Sequence, residues 1–118
     1  MVKFKHNVRI RTWTGDLSFI LTKLLTIDRN WRTLEQEFPG LPPDFVVTSI
    51  EDGVHSTNSK HYIGKAIDLR SKTFTSRQAK RDFRWEFERF LGPRYRVLLE
   101  QEGQANEHFH VQVKKGLI

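Results

Sequence analysis

Cysteine is absent from the 118 residues, so no disulfide can staple the fold. Thiolate nucleophiles and thiolate metal ligands are excluded with it. Also missing is any stretch near the ~20 apolar residues of a membrane span. The longest candidate is interrupted by Thr22, Lys23 and Thr26. The first ten residues lack the roughly 7–15-residue apolar run of a secretory signal. The expectation is a soluble protein made in the cytoplasm, with no membrane partner. No internal repeat, low-complexity tract or linker divides the sequence, and its length suits one domain over residues 1–118 with no separate binding module.

What is present is enough apolar material for a modest core: 37% hydrophobic residues, with nine Phe and three Trp. Met1 to Ile10 alternates polar and apolar residues as a strand does. From Asp16 to Phe38, apolar residues recur every three or four positions (Leu17, Ile20, Leu21, Leu24, Ile27, Trp31, Leu34, Phe38), which predicts one helix or two consecutive ones. Pro39, Gly40, Pro42 and Pro43 end that segment. Phe45 to Ile50 reads as a strand. Ser76 is a plausible N-cap for a second helix reaching Leu91, with Ala79, Phe83, Phe87, Phe90 and Leu91 as its buried stripe and Gly92-Pro93 as its stop. Tyr95 to Gln101 and His108 to Lys114 read as strands joined by a hairpin-like connection that holds Gly103 and Asn106. The fold class is α+β: a small, mostly antiparallel sheet with helices on one face and a metal site on the other. Trp13, Trp31 and Trp85 are assigned to the core rather than to a substrate platform.

The chemistry concentrates in two segments, Ser59-Lys-His61-Tyr-Ile-Gly64-Lys-Ala66-Ile-Asp68 and Glu107-His108-Phe-His110. Imidazole and carboxylate suit Zn²⁺, and a catalytic zinc keeps three protein ligands and one open position. His61, Asp68 and His110 supply such a set. Side chains at i and i+2 share a face of a strand, so Ala66, Asp68 and Arg70 lie together, as do His108, His110 and Gln112. If the two strands are neighbours, Asp68 and His110 meet above the sheet, and His61 arrives from a loop that turns at Gly64.

These residues resemble the zinc D-alanyl-D-alanine carboxypeptidase family, which includes D-Ala-D-Ala dipeptidases and phage L-alanyl-D-glutamate endopeptidases and has a hedgehog/DD-peptidase-like fold. The resemblance covers about Val46 to Val113. It rests on Ser59, His61, Gly64, Ala66 and Asp68 in the first motif and on the shorter acidic-His-x-His strand. It implies one Zn²⁺ held by His61, Asp68 and His110, Glu107 as acid/base, and His108 polarising substrate or stabilising charge. Glu100, at the end of the run Tyr95 to Leu99, is the alternative acid/base, separated from the His-x-His by Gln101 to Asn106. The family's arginine that grips a substrate carboxylate is missing, since Thr48-Ser49-Ile50 runs into Glu51-Asp52-Gly53-Val-His55. Arg70 or His55, with Ser59, are the candidate substrate-binding residues, and internal cleavage of peptidoglycan stem peptides is expected over carboxypeptidase action. The resemblance and the missing export signal together imply a phage lysin-like enzyme, monomeric, reaching the cell wall after release.

A net charge of +6 and a pI near 9.9 favour polyanionic partners, either the bacterial cell wall or nucleic acid. Arg77, Lys80, Arg81, Arg84 and Arg89 crowd the second helix, but Asp82, Glu86 and Glu88 are interleaved with them. That pattern reads as a solvated face with local ion pairs, so no stable nucleic-acid partner is expected. Two other readings stay open: a non-catalytic protein that keeps the fold and metal, and a basic nucleic-acid-binding module.

Overall fold

A computed structural model of the chain describes residues 1–10, 13–31, 39–50 and 65–114. Its elements run β1 (Val2–Phe4), α1 (Gly15–Asn30), β2 (Phe45–Ser49), β3 (Ala66–Arg70), α2 (Arg77–Leu91), β4 (Tyr95–Glu100) and β5 (His108–Val113). The five strands form one mixed sheet in the order β1-β2-β3-β5-β4. β1 lies parallel to β2, and every other neighbouring pair is antiparallel.

Strand alternation sends one set of side chains to the helices. Phe45, Val47, Ile67, Leu69, Val97, Phe109, Val111 and Val113 are buried in one cluster with Leu17, Ile20, Leu24 and Ile27 of α1 and Phe83, Phe87 and Leu91 of α2. Phe83 sits at its centre, with the rings of Phe45, Phe74, Phe87 and Phe109 at 5.3, 5.1, 5.2 and 5.1 Å between centroids. The sheet's other face carries Asp68, Arg70, His108, His110 and Gln112, all only partly covered.

Each helix starts on a hydroxyl cap: Thr14 Oγ1 accepts from Leu17 N, and Ser76 Oγ from Ala79 N, both at 3.0 Å. α2 ends at Gly92, whose φ of 100° suits glycine. Asp16, one residue into α1, is buried and binds three partners from the far end of the sheet: Lys65 Nζ at 2.7 Å, Arg94 Nε at 3.0 Å and Tyr95 Oη at 2.7 Å. The Arg94 hydrogen bond, with help from Lys65 and Tyr95, holds the Asp16 carboxyl well below the usual range against the opposing effect of burial. Burial, and then the Asp16 charge, pushes the Tyr95 phenol up to about 12.

Three expectations need correction. The N-terminal strand is only Val2–Phe4, because the chain turns at Lys5, whose carbonyl accepts from Val8 N at 3.0 Å. Trp13 and Trp85 are 58% and 53% exposed, so of the three tryptophans only Trp31 packs against the core. Phe90 leaves the predicted stripe, being 36% exposed with the Lys23 ammonium 4.5 Å from its ring centroid. Leu34 and Phe38 lie outside the described residues. Among the described residues no helix is long and apolar enough to cross a membrane.

Candidate metal centre

β5 lies between β3 and β4, and the registers stack the polar face into rows. Arg70, His108 and Glu100 form one row; Asp68, His110 and Leu98 form the next. Asp68 and His110, on strands far apart in sequence, are thus direct cross-strand partners, with His110 Nδ1 2.9 Å from Asp68 Oδ1.

The other ring nitrogen of His110, Nε2, lies 2.7 Å from Gln112 Oε1. With that amide oxygen accepting, Nε2 carries the hydrogen, and the Nδ1 lone pair faces a carboxylate oxygen. Two acceptors at 2.9 Å are stable only with a proton or a metal cation between them. Burial disfavours charge on His110, but the Asp68 bond and charge, with Glu100 beyond, raise its pKa above the ordinary imidazole value. The separation also compares with the ~3.3 Å between two donor atoms on a tetrahedral zinc, and a hydrogen-bonded far nitrogen is the usual support for a ligating histidine. The donor chemistry therefore fits zinc. Among the described residues no group of three His, Asp or Glu is arranged to hold a metal ion. His61, the third expected ligand, lies outside them, as do His55 and Ser59.

His108 has its own partners. Its Nδ1 is 2.8 Å from the Asn106 carbonyl oxygen and its Nε2 is 2.9 Å from Glu100 Oε1. A carbonyl only accepts, so Nδ1 donates to Asn106, and Nε2 faces the Glu100 carboxylate. Asp68 Oδ1 is 3.8 Å from the same Nε2, and Glu100 Oε1 is 4.0 Å from His110 Nδ1. A second histidine–carboxylate pair thus stands beside the Asp68–His110 pair.

Glu107 is elsewhere. It falls in phase with Phe109 and Val111, turned from the histidines, and is 7% exposed. Its Oε1 accepts from Ser71 Oγ at 2.6 Å and from Lys80 Nζ, and its Oε2 accepts from the Gly103 amide at 2.8 Å. Burial opposes its charge, yet Lys80, Ser71 and Gly103 together hold its carboxyl down to about 2. An acid/base near the working pH needs the opposite environment, and of the two candidate glutamates it is Glu100 whose carboxylate reaches the histidines, with Oε1 2.9 Å from His108 Nε2. Gln101 to Asn106, expected to separate Glu100 from the His-x-His, is the hairpin connection that brings Glu100 opposite His108.

A cavity of about 330 Å³ opens beside this cluster, lined by Asp68, Arg70, Lys72 and His108 with Ala105, Asn106 and Glu107 of the connection before β5, and closed by Lys5 from the turn after β1 and Thr48 of β2. Sequence reasoning missed Lys5, Thr48 and Lys72. Only the parallel β1–β2 pairing brings Lys5 near, and no periodicity within one segment signals it.

The crowded basic face of α2 is largely neutralised. Arg77 and Arg81 reach Glu102, Lys80 reaches Glu107, and Arg84 and Arg89 meet Glu88 and Glu86 on the helix itself. Compared with protein-family models, curated proteins and solved structures, the chain matches none.

Proposed function

We propose that this chain is a zinc-dependent peptidase of the D-alanyl-D-alanine carboxypeptidase and phage endopeptidase kind, with a hedgehog/DD-peptidase-like fold, cleaving within peptidoglycan stem peptides. The observation that carries the reading is the pairing of Asp68 with His110 across adjacent strands, two electron-pair donors converging on one point, with the hydrogen-bonded pair Glu100–His108 alongside. In this reading Asp68 and His110 hold the metal with His61. When bound, zinc supplies a water whose pKa drops from ~15.7 to roughly 7, nucleophilic enough for amide hydrolysis.

The protein's own groups then divide the proton work. Glu100 accepts the proton released on attack and returns it to the leaving amine, a role typically worth about 10²–10⁴-fold. His108 stays oriented by the Asn106 carbonyl and polarises the substrate or stabilises negative charge developing on it. Gln112 fixes the tautomer of His110.

Two measurements test this. Purified protein is assayed for bound zinc, with Asp68→Ala and His110→Ala as controls. The zinc-loaded protein is then assayed for release of new amino groups from purified peptidoglycan, beside a Glu100→Gln variant and a chelated sample. Release that both controls abolish is expected. Absence of zinc binding refutes the metal centre, and zinc binding without release from any wall type makes the protein a non-catalytic relative.

A further inference from the structure

β4 is the outermost strand on its side of the sheet. The opposite edge, β1, has three residues, whereas β4 has six, with Val97, Leu98 and Leu99 in succession. A long apolar edge presents amides and carbonyls that another chain can take up as a further strand. In an antiparallel pair, the backbone groups of successive residues point alternately towards the partner strand and away from it. Val97 points away from β5, and both of its groups bond to α2. Its amide donates to Glu88 Oε2 at 2.9 Å, and its carbonyl accepts from Arg84 Nη1 at 3.0 Å. By the same alternation Leu99 turns its amide and carbonyl outward.

These two bonds reproduce what a neighbouring strand would supply, an acceptor on the N–H and a donor on the C=O of one residue. They come from side chains one turn apart on α2, whose charged ends lie 3.5 Å from each other. Because donor and acceptor are ionised, each bond is stronger than the neutral amide bond that an added strand would offer in exchange. An ion pair that served only the helix would need no third partner. This one is aimed at the strand edge.

We infer that Arg84 and Glu88 seal β4, and that the edge beneath the seal is a self-association surface fitted to a second copy of this chain. A two-fold axis at Val97 makes the contact isologous. Val97 then opposes its counterpart and exchanges both backbone bonds with it, Tyr95 opposes Leu99, and Arg96 opposes Leu98. No like charges face one another in that register, and two five-stranded sheets become one. While the seal is closed the chain stays monomeric. Since Glu100 ends β4, the seal also keeps a second copy away from the Glu100–His108 pair. The inference rests on backbone geometry and is independent of the peptidase reading.

Sedimentation equilibrium of the full-length protein tests it. The double variant Arg84→Ala/Glu88→Ala removes both bonds to Val97. The exchange variant Arg84→Glu/Glu88→Arg keeps opposite charges one turn apart on the helix, but sets a carboxylate against the Val97 carbonyl and a guanidinium against its amide. Arg81→Ala removes an arginine of the same helix that reaches Glu102 and leaves the seal intact. Wild type and Arg81→Ala are expected to be monomeric, and the two unsealed variants to dimerise at least about tenfold more tightly than either. Amide hydrogen exchange locates the contact: in the unsealed variants protection of Val97 is lost at low concentration and returns, together with protection of Leu99, as the concentration rises.

Unsealed variants that stay as monomeric as wild type overturn the inference. An exchange variant that behaves like wild type also overturns it, because the pair then acts only along the helix. Association that protects the amides of β1 instead of Val97 and Leu99 moves the surface to the other edge. Association that accompanies loss of far-ultraviolet circular dichroism in both unsealed variants makes Arg84 and Glu88 supports of the fold instead of a seal.

Discussion

Replacing Glu107 by glutamine separates an acid/base from an anchor, because the change keeps the shape of the side chain and removes only its charge. The Lys80 ammonium, whose side chain is 19% exposed, is left without its counter-charge. On folding, the Glu107 carboxyl moves from an ordinary 4.5 to about 2. That displacement corresponds to about 3 kcal/mol of native stability at neutral pH. Against a total of about 5–15 kcal/mol for a domain of this size, the loss is large. The sign follows from proton uptake. The folded state binds the proton more weakly than the unfolded chain, so the contribution is complete above pH 5 and disappears as the pH falls through 4.5 towards 2. Urea denaturation followed by tryptophan fluorescence should therefore show E107Q less stable than wild type by about 3 kcal/mol at pH 7, with the gap closing by pH 2.5. Asp16, also held well below the usual range, lowers the acid stability of both proteins alike and cancels in the difference. A gap below about 0.5 kcal/mol at pH 7, or one independent of pH, refutes the anchor. Loss of hydrolysis at unchanged stability would restore Glu107 as the acid/base.

Glu100→Gln should give the complementary result, a fall of about 10²–10⁴-fold in hydrolysis with stability within about 1 kcal/mol of wild type, checked by amine release and denaturation on one sample. Phe83→Ala removes the ring at the centre of the aromatic cluster and should cost about 3–5 kcal/mol, measured as a lower urea midpoint. Gly40→Ala should lose at least about 1 kcal/mol on thermal unfolding, since φ is +87° and the added Cβ would lie 2.6 Å from Thr75 Oγ1 and 2.7 Å from Ala79 Cβ. Ser76→Ala removes the cap on Ala79 N and should cost about 1 kcal/mol in the same assay.

Much of this architecture was legible because it is local. The Ser76 cap, the Phe83–Phe87–Leu91 stripe and the stop at Gly92 depend on spacing within one segment, and α2 ends where those signals place it. The phases of β3 and β5 were legible for the same reason, and once the strands are neighbours Asp68 must face His110. Non-local features were hidden. That β1 runs parallel to β2, bringing Lys5 to the polar face, has no signature in Met1 to Ile10. Asp16 reads as a first-turn acid of α1, and nothing near it announces Lys65, Arg94 and Tyr95 as its partners. Trp13 and Trp85 were misassigned because a large apolar residue gives no sign of which side of its element faces water.

Glu107 carries the sharper lesson, because the alternation that joins His108 to His110 separates Glu107 from both. Adjacency in sequence along a strand means opposition in space, so the glutamate next to the histidines in sequence is turned from them, and the glutamate across the hairpin is the one that meets His108. Its position still matters to them. By tying Ser71 at the end of β3, Lys80 on α2 and Gly103 in the hairpin to one carboxylate, Glu107 fixes the connection that ends at Asn106. The Asn106 carbonyl in turn orients His108 towards Glu100. The buried charge thus acts on the polar face through backbone rather than through protons, and a low pKa suits that work, because an anchor must stay ionised throughout the range in which the protein is folded.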